Sequence, residues 1–233
     1  MTEELFREDA YLKSCDAKVL KINDLGGIIL DRTVFYPTGG GQPGDSGKIG
    51  DVEIATTVYD RDTGEIVHVP SEGQILPSEG DAVTASIDWD RRYLHMRMHT
   101  GLHLLCAAVP CGVTGGQIGA AKSRLDFDIG DMTLDKEEIT AKINEFQQGN
   151  HDVNSSWITD EEMDANPELV RTMSVKPPRK GGRVRLMHVG DAVDLQPCGG
   201  THVKNTSEIG RLRVSKIENK GKRNRRVNIV FDE

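Results

Sequence analysis

The chain of 233 residues holds no run of 18 or more apolar residues, so nothing in it reads as a helix that spans a bilayer. Its first stretch, Met1-Thr-Glu-Glu-Leu-Phe-Arg-Glu-Asp-Ala10, is acidic and lacks the apolar core of a secretory signal. These two absences predict a cytoplasmic protein with no membrane partner. Cysteine is scarce, with Cys15, Cys106, Cys111 and Cys198 alone. A chain this long without a signal needs no disulfide staples, so reduced thiols open to metals are expected. Internal repeats and low-complexity tracts are also missing. With 36% hydrophobic and 28% charged residues, a packed core is expected and wholesale disorder is not.

Positive charge is short overall, and the formal net charge is -8. The shortage is not uniform. Residues 1–170 hold 14 Lys and Arg against 31 Asp and Glu, whereas residues 171–233 hold 15 against 6. A local basic surface governs phosphate binding more than the sum over the chain does. An acidic body with one basic flank therefore remains compatible with a nucleic-acid partner.

Residues 13–88 read as strands and turns. Ala17–Ile22 and Gly27–Val34 carry β-branched residues around an Asn23-Asp-Leu-Gly-Gly27 turn. A glycine-rich loop, Tyr36 to Gly47, precedes the short strand candidates Val52–Tyr59, Ile66–Val69 and Ala82–Ile87. Around Asp88 the period changes. Asp90 to Val109 has no internal proline and stops at Pro110, which predicts a helix. A second helix is expected over Asp135–Gln148 with Ile139, Ile143 and Phe146 on one face, and a third from the capping box Thr159-Asp-Glu-Glu162. Strands are expected at Ser123–Ile129, Arg183–His188, Ala192–Leu195, Gly210–Ile217 and Val227–Phe231. The fold class is therefore α+β. A small N-terminal β-barrel domain over 1–88 precedes a two-layer α/β domain over 89–233 with a mostly antiparallel sheet.

His99 and His103 lie four positions apart on the expected helix, so both imidazoles leave one face about a turn apart. Ninety-five residues further comes Cys198-Gly-Gly-Thr-His202, whose glycines permit a tight backbone between thiolate and imidazole. Three histidines and a cysteine are a zinc donor set, and nitrogen and sulfur disfavour magnesium or calcium. His95 extends the stripe but reads as an ordinary helix histidine.

His99-Thr-Gly-Leu-His103-Leu-Leu and Cys198-Gly-Gly-Thr-His202 resemble the two zinc motifs of the alanyl-tRNA synthetase editing domain. Phe35-Tyr-Pro-Thr-Gly-Gly-Gly-Gln-Pro-Gly-Asp-Ser-Gly47 is similar to the glycine-rich motif preceding that domain in the synthetase and in the medium-length AlaX editing proteins. Ser123-Arg-Leu-Asp-Phe-Asp128, Ile209-Gly210 and Lys216-Ile-Glu-Asn-Lys-Gly221 also sit where that family has them. The editing domain of threonyl-tRNA synthetase shares the two metal motifs, but the glycine-rich segment points to the alanine branch.

The resemblance implies a Zn2+-dependent hydrolase that deacylates tRNA(Ala) mischarged with serine or glycine. No aminoacylation core precedes the glycine-rich segment, so the expectation is action on tRNA charged elsewhere. Gln117 is implied near the polar pocket, holding water or the substrate amine. Thr38 with Gly39, Gly40 and Gly41 is implied close to the tRNA end or the bound amino acid. Lys216, Lys220, Lys222, Arg223, Arg225 and Arg226 form a natural phosphate-binding strip, with Arg179, Lys180, Arg183 and Arg185 as additions. Few aromatics lie in the strip, which fits backbone contacts to a duplex rather than base stacking. Two other readings fit the same residues: a non-catalytic tRNA-binding module stabilised by zinc, and a metal hydrolase acting on a small ester or amide. The basic flank argues against the last.

Overall fold

The computed structural model describes residues 2–173 and 179–232. Its contacts divide the chain into two units, Met1–Tyr93 and Leu94–Glu233. Among the described residues no helix is long and apolar enough to cross a membrane.

The first unit is a closed antiparallel barrel of six strands, β1 (Ser14–Ile22), β2 (Ile28–Leu30), β3 (Gly47–Ile49), β4 (Val52–Tyr59), β5 (Ile66–Pro70) and β6 (Ala82–Ile87). They close in the order β1-β2-β5-β4-β3-β6. Alternation sets the inside: Ala17 and Val19 are buried on β1, while Lys18 and Leu20 between and beside them are exposed. Ile28, Leu30, Phe35, Ile49, Ile54 and Ala85 are among the residues that share the core with Ala17 and Val19. The expected strand Gly27–Val34 is broken at Asp31, and Arg32–Thr33 instead pairs in parallel with Glu3–Glu4. β3 begins on Gly47, the last residue of the glycine-rich loop, and extends beyond it.

That segment is stitched from within. Asp45 takes the Tyr36 N–H at 2.6 Å and a buried ion pair from Arg92, which also reaches the carbonyls of Ala10 and Val34. Gly44 approaches β4 so closely that a Cβ there would lie 1.9 Å from the Thr57 carbonyl oxygen.

The helix α1 (Trp89–Ala108) starts where Asp88 accepts the Arg91 N–H at 3.1 Å and ends before Pro110. Residues 98–106 are buried without interruption, so the helix is enclosed on all sides over this stretch. β7 (Gly112–Gln117), β8 (Lys122–Asp128), β12 (Leu212–Asn219) and β13 (Asn224–Phe231) form an antiparallel sheet in the order β12-β13-β8-β7. α1 meets this sheet at Gly101, where a Cβ would stand 2.6 Å from Leu212 Cδ1.

The remaining strands make a second antiparallel sheet. β9 (Val153–Thr159) pairs with β10 (Arg183–Val189), and β10 pairs in turn with β11 (Asp194–Pro197) and with the short Arg179–Lys180 strand. The antiparallel strands thus fall into two four-stranded sheets. α2 (Lys136–Gln148) is capped by Asp135, and α3 (Asp160–Ala165) opens on the expected capping box from Thr159 and Glu162.

Candidate metal centre

α1 delivers His99 and His103, and the turn after β11 delivers Cys198 and His202. One ligand atom from each of the four lies within 4.8 Å of all the others, and all belong to the second unit. Cys198 Sγ stands 3.4 Å from His99 Nε2 and 3.3 Å from His202 Nε2. The three imidazole centroids are 4.2 to 5.5 Å apart. His95 is buried a turn earlier on α1 and is not among the four.

The turn carrying Cys198 is fixed by bonds between side chains and its backbone rather than by unusual glycine geometry. Neither Gly199 nor Gly200 is among the described glycines with positive φ. Instead Arg185 Nη1 donates to the carbonyls of Cys198 at 3.2 Å and Gly200 at 2.9 Å, and the Gly200 N–H points at Cys198 Sγ from 3.5 Å. Arg185 is buried and spent on this loop, which removes it from the expected phosphate strip. His202 Nδ1 lies 3.2 Å from Thr100 Oγ1, which also accepts the Val203 N–H. His103 Nδ1 lies 2.8 Å from Asp194 Oδ2.

Electrostatics favour the ligand form of the sulfur. Burial alone would raise the Cys198 thiol, but the His99 and His202 imidazoles and the bonds from His103 and His202 hold it well below its ordinary value. Burial also opposes charge on His103. The Asp194 carboxylate and the Cys198 sulfur outweigh it and raise that imidazole to about 10. His202 moves the other way, held well below its ordinary value by burial and by the nearby His99 ring. A buried set of three imidazole nitrogens and a readily ionised sulfur fits a divalent metal of zinc's chemistry.

The other expected site residues sit elsewhere. Gln117 is exposed at the end of β7, where its Oε1 accepts from Arg124 Nε at 3.3 Å. It lines a polar cleft of about 330 Å3 with Lys122, Arg124, Glu218, Arg226 and Asn228. Thr38 and Gly39, Gly40 and Gly41 belong to the barrel unit. The Thr38 hydroxyl donates to Thr57 O at 3.2 Å and accepts the Gly44 N–H at 2.8 Å, so it latches its own loop. Gly39 and Gln42 exchange backbone bonds across a turn whose exposed tip, Gly40 and Gly41, takes φ of 55° and 82°.

The basic strip is only partly free. Lys216 pairs with Glu218, Arg223 with Asp128 and Arg226 with Asp126, while Arg225 donates to Asn219 Oδ1 and Gly221 O. Lys220 and Lys222 are exposed on the β12–β13 turn and form no ion pair among the described residues. Arg179 pairs with Asp160 and Asp164, Arg183 is exposed, and the side chain of Lys180 lies outside the described residues. Asp194 and Gln196 were not foreseen. Their signal is the alternation Asp194-Leu-Gln196 leading into Cys198, of which only Asp194 and Leu195 fall on the expected strand Ala192–Leu195.

With this geometry the chain can be set beside known proteins. A family model described as "Threonyl and Alanyl tRNA synthetase second additional domain" matches residues 184–228, and one described as "tRNA synthetases class II (A)" matches residues 9–91. Both units thus carry segments matched by tRNA-synthetase families. The alanyl-tRNA editing protein AlaX-M of Methanosarcina acetivorans is 37% identical over 97% of this chain and 98% of its own length. AlaX-M of Saccharolobus solfataricus is 34% identical over the same shares. An alanine–tRNA ligase of Pyrobaculum arsenaticum is 39% identical over 93% of this chain, which covers 25% of the ligase. The chain belongs to the alanyl-tRNA editing protein AlaX family.

Proposed function

We propose that the protein is an aminoacyl-tRNA deacylase that hydrolyses, in trans, the ester joining serine to the end of tRNA(Ala), with glycine as a second substrate. The observation that carries the reading is the convergence of His99, His103, Cys198 and His202, in a chain that matches AlaX-M proteins over nearly its full length. These four side chains would hold Zn2+, which supplies Lewis acidity and lowers the pKa of water toward neutrality when bound.

An aminoacyl ester is already activated, so the chain has chiefly to position water and the carbonyl. Alanine is smaller than serine, and size alone cannot exclude it. Selectivity requires a polar group that pairs with the serine hydroxyl and is left unpaired by alanine. Lys220 and Lys222, the strip lysines without an ion pair among the described residues, are the natural contacts for acceptor-stem phosphates.

A second reading is favoured by one observation. The four donors form a complete set, as in structural zinc sites, which would make the protein a tRNA-binding module without chemistry. Deacylation of seryl-tRNA(Ala), with alanyl-tRNA(Ala) as control and a chelator-treated sample alongside, separates the two. Selective, chelator-sensitive release of serine is expected. Tight tRNA binding with no release would select the binding module.

A further inference from the structure

His103 is held from behind by a charge. Asp194 Oδ2 lies 2.8 Å from its Nδ1, and Gln196 Nε2 donates to the same oxygen at 2.8 Å. Asp194 and Gln196 stand two positions apart on β11, so the strand's alternation turns both inward and leaves Leu195 exposed between them. His202 is held as well, but by a neutral oxygen. The Thr100 hydroxyl gives its own proton to Met96 O at 3.0 Å and faces His202 Nδ1 as an acceptor. An imidazole that donates from Nδ1 presents a bare Nε2, and His202 turns Nε2 toward Cys198.

The two acceptors differ by a full charge, and the difference has a use. A divalent cation on three neutral imidazoles and one thiolate keeps one net positive charge in a site shielded from water. Asp194, 5% exposed, places one negative charge directly behind one of those rings. Its Oδ1 has no hydrogen-bond partner among the described residues, and the nearest paired cation is Arg171, with Nε 4.0 Å away. A buried carboxylate satisfied on one oxygen only is unfavourable by itself, and an adjacent positive centre offsets that penalty.

We propose that Asp194 is a positioning residue: through the Nδ1–H of His103 it turns Nε2 toward the cluster and balances the charge of the divalent ion the four side chains take. Gln196 keeps the carboxylate in place. The inference rests on the metal reading above and not on the hydrolytic one.

The test uses the full chain and Zn2+ as the probe, with affinity read by competition against a chromophoric chelator. Asp194→Asn keeps the size of the side chain and removes its charge, and it is expected to weaken zinc binding by about 10- to 100-fold. Affinity within threefold of wild type would overturn the positioning role while leaving the proposed function standing. A wild type that takes up no zinc would overturn both. Should Asp194→Asn fail to fold, imidazole nitrogen shifts of the zinc-loaded wild type decide. A proton on His103 Nδ1 supports the proposal, and a proton on Nε2 overturns it.

Discussion

The Arg226 guanidinium lies flat against the Asp126 carboxylate, with Nε to Oδ1 at 2.8 Å and Nη2 to Oδ2 at 2.9 Å. Arg124 Nη1 reaches the same carboxylate at 2.8 Å, and the pair of arginines holds it below the usual carboxylate range against the opposing effect of burial. A cation bound this way has little charge to spare for a phosphate. Replacing both Lys220 and Lys222 with alanine is therefore expected to weaken tRNA binding and to flatten its salt dependence by about two in log–log slope. Arg226→Ala should lower the melting temperature instead. Binding isotherms at several salt concentrations check the first, and thermal melts the second. An unchanged slope for the lysine variant would remove the turn from the tRNA surface.

His103→Ala is expected to abolish deacylation and lower zinc content together. The ring supplies one of four donors and is the link to Asp194. Metal analysis of the purified variant beside a deacylation assay reads both. A fully active His103→Ala protein would show the centre as drawn to be wrong.

Two neighbouring glycines should respond very differently to alanine. At Gly40 nothing lies within 4 Å of an added Cβ, so the penalty is confined to its φ of 55°, about 1–2 kcal/mol. At Gly44 the added carbon would meet the Thr57 backbone oxygen at 1.9 Å, and the barrel has to shift. Gly44→Ala is expected to be the more destabilising by at least about 1 kcal/mol in denaturant titrations.

Acid should weaken the barrel unit through His68. Burial pushes this imidazole down from 6.5 to about 4, although its bond to Ile28 O works the other way. Its Nδ1 donates to that carbonyl at 2.9 Å, and its Nε2 accepts from Thr33 at 2.8 Å. Between pH 6.5 and about 4 the unfolded chain binds a proton that the folded one refuses. The associated stability is complete above pH 6.5 and is lost as pH falls toward 4, on the order of 3 kcal/mol in all. His68→Gln should flatten the stability profile over that window, and an unflattened profile would assign the acid sensitivity elsewhere.

The metal cluster was legible because ligand chemistry admits few residue types, and because Asp88 and Pro110 bracket the helix that carries two of them. The strands β7 and β9 were not. β7 contains Gly115 and Gly116 and pairs with a bulge against β8, and β9 opens with Val-Asn-Ser-Ser, so neither carries a strand composition. Their partners across the ladder supply what propensity does not. On α2, periodicity placed Phe146 inward, yet Asn144 is the more deeply buried of the two. Its amide donates to Leu212 O at 2.6 Å and accepts the Leu212 N–H at 3.0 Å, standing in for a strand at the edge of β12. The ion pairs that occupy Arg223 and Arg226 were equally hidden, since their acids, Asp128 and Asp126, lie about a hundred positions away in sequence on β8.

The same distance along the chain governs how the metal centre comes into being. His103 leaves the ribosome 95 residues before Cys198, and β7, β8, α2, β9, α3 and β10 all emerge in between. Until that loop closes, the nascent chain holds only half a centre. Capture of a metal ion by these four side chains would then fasten the helix that opens the second unit to the turn after β11, and metal supply during synthesis would bear on how much folded protein accumulates.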